Sequence, residues 1–176
     1  MEKEIKIIEG ISFSKQGKEL VFTKEGKVNR MELFHPLVEI TSSEGRILLK
    51  SKRDNRNIKM LINTFSSHIN NLMKGLIKPF VYKLKICGSH FPITVKVEGK
   101  NIIINNYLGE KVPRKCRIIG DAQVSVENNI ITVKSTNKEY AGTTAGVIEK
   151  TGQIRIHDRR IFQDGIYIIE KVDKKI

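Results

Sequence analysis

The chain repeats itself in outline, and no other feature of the sequence limits its fold so strongly. Residues Ile11–Leu20 (ISFSKQGKEL) correspond to Ile93–Ile102 (ITVKVEGKNI), an offset of 82 residues. Farther along, Glu25-Gly26-Lys27 answers Gly109-Glu110-Lys111, and Ile47–Ser51 (ILLKS) answers Ile131–Ser135 (ITVKS), the latter pair each just before a helical segment. Short strands with Gly-Lys turns can match by chance, but several matches in nearly the same order make a duplication the economical reading. The expected fold is α+β: two tandem similar domains, each an antiparallel-rich β-sheet packed with an α-helix, over residues 1–80 and 81–176.

Hydrophobic periodicity supplies the elements. Ile5/Ile7, Ile11/Phe13, Leu20/Phe22, Val38/Ile40 and Ile47/Leu49 alternate with polar residues, the period of half-exposed strands. Gln16-Gly17-Lys18, Glu25-Gly26-Lys27, His35-Pro36 and Ser43-Glu44-Gly45 separate them as turns. The period then changes. Ile58, Leu61, Ile62, Phe65, Ile69, Leu72, Met73 and Leu76 recur at three and four, which predicts an amphipathic helix. Ser51 to Asp54 and the Asn-rich stretch after them offer N-caps, while Gly75 and Pro79 are expected to stop the helix. A second helix is expected from Tyr140 to Lys150, capped by the Thr136-to-Glu139 spacing. Its Ala141, Gly142, Thr143, Thr144, Ala145 and Gly146 permit close approach, either to the sheet or to a phosphate backbone. Only Val147 and Ile148 add bulk there.

The charge points to a polyanion. Lys and Arg number 32 against 19 Asp and Glu, a net +13. Residues 1–80 hold 15 basic and 9 acidic side chains, and residues 81–176 hold 17 and 10, so the halves carry +6 and +7. The positive charge therefore belongs to the folded body rather than to one tail. Cys87 and Cys116 form no Cys-x-x-Cys pair and are read as reduced packing residues. Neither a leader-like apolar segment nor a span of roughly 18 apolar residues occurs, so a soluble cytosolic protein is expected.

Three stretches are candidate binding elements. In Asn105–Arg117, Lys111, Arg114, Lys115 and Arg117 have one acidic neighbour, and Tyr107 stands among turn residues. Cations on phosphates with Tyr107 free to stack on a base suit a loop following RNA, and a solvated hairpin is the plainer alternative. In Gln153–Ile168, Arg155, Arg159 and Arg160 bracket Asp158, which could align a neighbouring guanidinium for bidentate phosphate binding. His157 and Asp158, adjacent on an extended segment, would point to opposite faces and make a poor acid–base pair. Lys171 to Lys175 is a short basic tail of either kind. His35, His68, His90 and His157 lack metal-ligand spacing, and no Gly-rich phosphate loop or nucleophile motif occurs, so neither cofactor nor catalysis is expected.

Ser67–Gly75 (SHINNLMKG), Ser89–Gly99 (SHFPITVKVEG), Asn106–Arg114 (NYLGEKVPR) and Asp158–Tyr167 (DRRIFQDGIY) occur in an order that resembles the L-six family of large-subunit ribosomal proteins, in its archaeal form. The resemblance covers essentially the whole chain. It implies tandem similar domains, with the C-terminal one the principal RNA binder, near the sarcin-ricin loop, the stalk base and the docking region of translational GTPases. The implied partners are large-subunit ribosomal RNA and neighbouring large-subunit and stalk-base proteins, with no membrane and no small-molecule substrate. The residues 106–117 and 155–160 become the RNA-contacting candidates on this ground too. One departure stands in the second helix, where the family form Gly-Gln-Thr-Ala-Ala-Asn-Ile-Glu is replaced by GTTAGVIE over Gly142–Glu149, with Thr143 and Val147 in place of larger polar side chains. The competing classes are an enzyme acting on RNA, which would need a carboxylate pair, a His-based arrangement or a metal site, and a free-standing basic adaptor for protein partners.

Overall fold

Alternating burial marks the strands that form the core of this chain. Leu20 and Phe22 are wholly buried while Glu19 is exposed, and Ile102 and Ile104 repeat the pattern beside the exposed Asn101. The computed structural model describes residues 2–43, 45–88, 91–154, 158, 160–172 and 174–175, with 175 described by its backbone alone. It falls into two compact units, Met1–Lys78 and Pro79–Ile176.

The first unit runs β1 (Glu2–Lys6), β2 (Ser12–Gln16), β3 (Glu19–Lys24), β4 (Lys27–Glu32), β5 (Glu39–Ser43), β6 (Arg46–Lys50) and α1 (Arg56–Ile77). Two three-stranded antiparallel sheets result, in the orders β1-β6-β5 and β2-β3-β4. Helix α1 buries Ile58, Ile62, Phe65, Ile69, Leu72, Met73 and Leu76, and these join Leu20, Phe22, Ile47 and Leu49 in one core. Each such side chain contributes on the order of 1.5–3 kcal/mol by leaving water. Asn55 is the N-cap, with no side-chain bond. Gly75 does not end the helix; it lies buried inside it. Lys78, forced out of the helical region by the Pro79 ring that follows, is extended at φ −132° and ψ 119° and ends it instead.

The second unit runs β7 (Phe80–Cys87), β8 (Thr94–Glu98), β9 (Asn101–Asn105), a single 3-10 turn at Tyr107–Gly109, β10 (Arg114–Arg117), β11 (Gln123–Glu127), β12 (Ile130–Ser135), α2 (Lys138–Thr151), β13 (Gly165–Lys171) and β14 (Lys174–Lys175). Sheet β10-β9-β8 has the order of β4-β3-β2, and β11-β12-β7 has that of β5-β6-β1, widened by β13 and β14 on the far side of β7. Strands β8 and β9 begin 82 residues after β2 and β3, and Gly17 and Gly99 turn both hairpins at φ +63° and +59°. Among the described residues, four antiparallel sheets and two α-helices thus make an α+β molecule of two similarly built parts. The match at Gly109-Glu110-Lys111 differs from its counterpart. Glu25 and Gly26, at φ +47° and +80°, form a tight hairpin turn between β3 and β4, whereas residues 106–113 make a longer loop.

Helix α2 begins one residue later than the capping-box spacing implies. Asn137, not Thr136, is the N-cap, and its Oδ1 accepts from the Glu139 N–H at 2.9 Å. Ala141, Thr144, Ala145 and Ile148 are fully buried, so the small residues serve the approach to the sheets. Thr144 Oγ1 accepts the Ile119 N–H at 3.2 Å, while Thr143 is exposed and Val147 packs against the core. No described helix is long and apolar enough to cross a membrane.

Candidate nucleic-acid interface

Strand alternation divides the basic run of β10 between two faces. Arg114 and Cys116 turn toward the core, whereas Lys115 and Arg117 are exposed on the opposite side. Lys115 lies opposite Ile103, which lies opposite Lys96; Arg117 lies opposite Asn101, which lies opposite Glu98. The outward face of β8-β9-β10 thus carries Lys96, Lys115 and Arg117 against the carboxylate of Glu98. Lys96 and Lys115 are two strand spacings apart, about 10 Å. Lys111, in the loop before β10, is exposed as well.

Two of the expected contact residues, Tyr107 and Arg114, make extensive contacts within the protein. The Tyr107 ring is 1% exposed, and its hydroxyl donates to the Gly152 carbonyl at 2.7 Å, so it is not free to stack on a base. Positive φ at Asn106, Leu108 and Gly109 curls the loop and carries the ring inward. Arg114 lies over that ring with its guanidinium carbon 3.9 Å from the centroid. Its Nε and Nη2 donate to the two Glu110 oxygens at 2.8 and 2.5 Å, and Nη1 donates to the Thr151 and Gln153 carbonyls at 2.9 and 2.8 Å. One guanidinium therefore ties the loop to the end of α2 and to the chain leaving it. The Glu110 hydrogen bonds, ahead of any other cause, hold the Arg114 pKa above its ordinary value, and burial raises that of the Tyr107 phenol. Cys116, buried beside them, has its thiol pKa raised by the same loss of water.

Of the second basic stretch, Arg155, Arg159 and His157 lie outside the described residues. Arg160 is exposed. Asp158 Oδ1 accepts the Arg160 backbone N–H at 2.9 Å, and its carbonyl accepts from Phe162 at 2.9 Å, which makes it the first residue of a turn. No cluster of three or more potential metal ligands occurs among the described residues.

Sequence reasoning passed over Lys96 and two exposed aromatics, Phe91 and Tyr167. Lys96 was available from the period-two pattern of the repeat. Phe91 sits against Gly109 and Tyr167 against Gly165, where in each case a Cβ would meet the ring. An aromatic residue two positions after glycine was the only sign of the second, and nothing local signalled the first.

The Ribosomal protein L6 family model matches residues 91–165, within the second unit. The large ribosomal subunit protein uL6 of Methanosarcina mazei is 41% identical over 171 residues, 96% of this chain and 96% of its own length. The protein of that name from Methanococcus vannielii is 38% identical over 174 residues, 99% of this chain and 96% of its own. That from Methanosphaera stadtmanae is 38% identical over 173 residues, covering 98% and 94%.

Proposed function

The chain belongs to the ribosomal protein L6 family, and from that premise we propose that its second unit is the principal binder of large-subunit ribosomal RNA. It is an archaeal-type constituent of the large ribosomal subunit, acting in translation, and its place is with the ribosome in the cytoplasm. The family is one of structural components rather than enzymes. The finer reading puts the second unit near the sarcin-ricin loop, the stalk base and the docking region of translation factors, with neighbouring large-subunit and stalk-base proteins around it.

The observation that carries the contact surface is the division of β10. Lys115 and Arg117 face outward with Lys96, while Arg114 and Tyr107 lock the adjoining loop from behind. Cations on a sheet cannot swing freely at their Cα positions, so they meet phosphates in a fixed spacing, and each neutralised phosphate releases counterion. Lys111 and Arg160 extend the surface on exposed turns, and Arg155 and Arg159 enter the reading on their charge. Specificity comes mainly from the shape of the RNA.

Footprinting of the protein on deproteinised large-subunit RNA across a salt series tests this. Protection confined to one region near the factor-binding end and persisting at moderate salt is the expected result. Diffuse protection that vanishes with salt would overturn it and leave a basic adaptor, which co-sedimentation with subunits after a high-salt wash would then separate from a ribosomal constituent.

A further inference from the structure

Strand β7 buries Phe80, Tyr82, Leu84 and Ile86 in the core of the second unit, which leaves Lys83, Lys85 and Cys87 on the opposite face of the five-stranded sheet. Register places Ile130, Lys85 and Tyr167 in one row across three strands. Ile130 is 41% and Tyr167 44% exposed, a large apolar and aromatic surface left uncovered on an ordered sheet. Tyr167 is nevertheless fixed. A Cβ on Gly165 would come within 2.9 Å of its ring, so the ring lies back over its own strand in space that only glycine leaves, and its hydroxyl donates to the Gln163 carbonyl at 3.3 Å. Beside it runs an open groove of about 620 Å³ lined by Lys85, Cys87, Asn129, Gln163 and Tyr167.

We propose that this groove holds one unpaired RNA nucleotide, its base stacked on Tyr167, its edge read by the amides of Asn129 and Gln163, and its phosphate met by Lys85. The inference rests on the RNA-binding reading above and adds a second contact, on a different sheet from Lys115 and Arg117. The chemistry favours this occupant. A flat aromatic held in place presents a face to a base without first losing side-chain freedom. Amides offer both donors and acceptors, as base edges do. The groove is within the size range of small-ligand sites. Lys83 is engaged by Glu170 at 2.9 Å and contributes less, while Lys134 is exposed at the far end of the same face and adds positive potential. The carboxylate of Glu127, opposite Ile130, marks the side from which a phosphate is kept away.

The test measures affinity of the full chain for deproteinised large-subunit RNA in wild type, Tyr167→Ala, Tyr167→Phe and Lys85→Ala, each across a salt series. Tyr167→Ala weakens binding about ten-fold with an unchanged salt slope, Tyr167→Phe stays within about two-fold, and Lys85→Ala lowers the slope by about one. A second readout leaves the chain unaltered. Cys87 lines the groove whereas Cys116 is buried, so iodoacetamide modifies Cys87 first, and bound RNA slows that reaction. If wild type binds RNA with a discrete footprint while Tyr167→Ala binds equally well and Cys87 reacts at its free rate, this inference is overturned alone and the face goes to a neighbouring protein. If wild type shows no discrete footprint, the RNA-binding reading itself fails and this one with it.

Discussion

Arg114 offers five N–H donors, and the structure uses four bonds from three of its atoms on its own chain, over a tyrosine ring. A side chain held in this way is expected to position a binding surface rather than to join it. Arg114→Ala removes one donor from Glu110 and from two carbonyls, and is expected to lower stability by about 1–3 kcal/mol in denaturant unfolding. Arg114→Lys recovers little of this, because one ammonium can neither span a carboxylate and two carbonyls nor stack as a plane. Neither substitution changes the salt slope of RNA binding among molecules that remain folded; a slope lower by about one would show that Arg114 reaches a phosphate after all. Tyr107→Phe removes the donor to Gly152 and is expected to cost about 1–2 kcal/mol at neutral pH. Its phenol, raised by burial above the ordinary 10.0, holds its proton more tightly folded than unfolded. That contribution is complete below pH 10 and is lost as pH climbs through the folded value, so wild type should lose more stability than Tyr107→Phe between pH 9 and 11. Residue types and order identified this loop as special, but not its inward-facing members. The parity of Arg114 with Cys116 was legible in the strand; the inward curl of Tyr107 depends on left-handed backbone at Asn106 and Leu108, which neither residue type requires.

At the scale of elements the duplication was the most informative part of the sequence, because period-two burial is a local property that each copy must satisfy by itself. Leu20 and Phe22 have the same fate as Ile102 and Ile104 for that reason. Pairing between distant strands was less legible. That β7 lies between β12 and β13 depends on chain reversals about 45 and 80 residues long, for which the sequence holds no local signal. In α2 the ambiguity of a small-residue helix is resolved by which side is covered. Ala145 is wholly buried, whereas a Cβ on Gly146 meets nothing within 4 Å. Ala145→Leu must push the helix off its sheets and is expected to cost about 1–3 kcal/mol. Gly146→Ala, one residue away, is expected to gain about 0.5–1 kcal/mol from helix propensity. Thermal melting of the two variants reads both signs, and a gain from Ala145→Leu would place that face of α2 against something looser than a packed core.

For the whole molecule, charge and geometry make different predictions. Pro79 and Phe80 are uncharged, so the units Met1–Lys78 and Pro79–Ile176 carry the same +6 and +7 as the halves of the sequence. If bulk charge alone drew the protein to RNA, cations in either unit would be interchangeable. The first unit's Lys3 donates to Asn63 Oδ1 at 2.7 Å, and Lys6 lies on β1 opposite Arg46, so neither belongs to the row formed by Lys96 and Lys115. Replacing Lys3 and Lys6 by Ala, or Lys115 and Arg117 by Ala, removes two positive charges in each case. The second pair is expected to lower the salt slope by about two and to weaken binding to large-subunit RNA at least ten-fold more than the first. The two pairs are compared at matched ionic strengths across one salt series, since screening over about 10 Å in 0.1 M salt weakens any long-range contribution as salt rises. Equal losses from the two pairs would mean that the RNA senses only total charge, and that the fixed spacing on β8-β9-β10 contributes nothing to recognition.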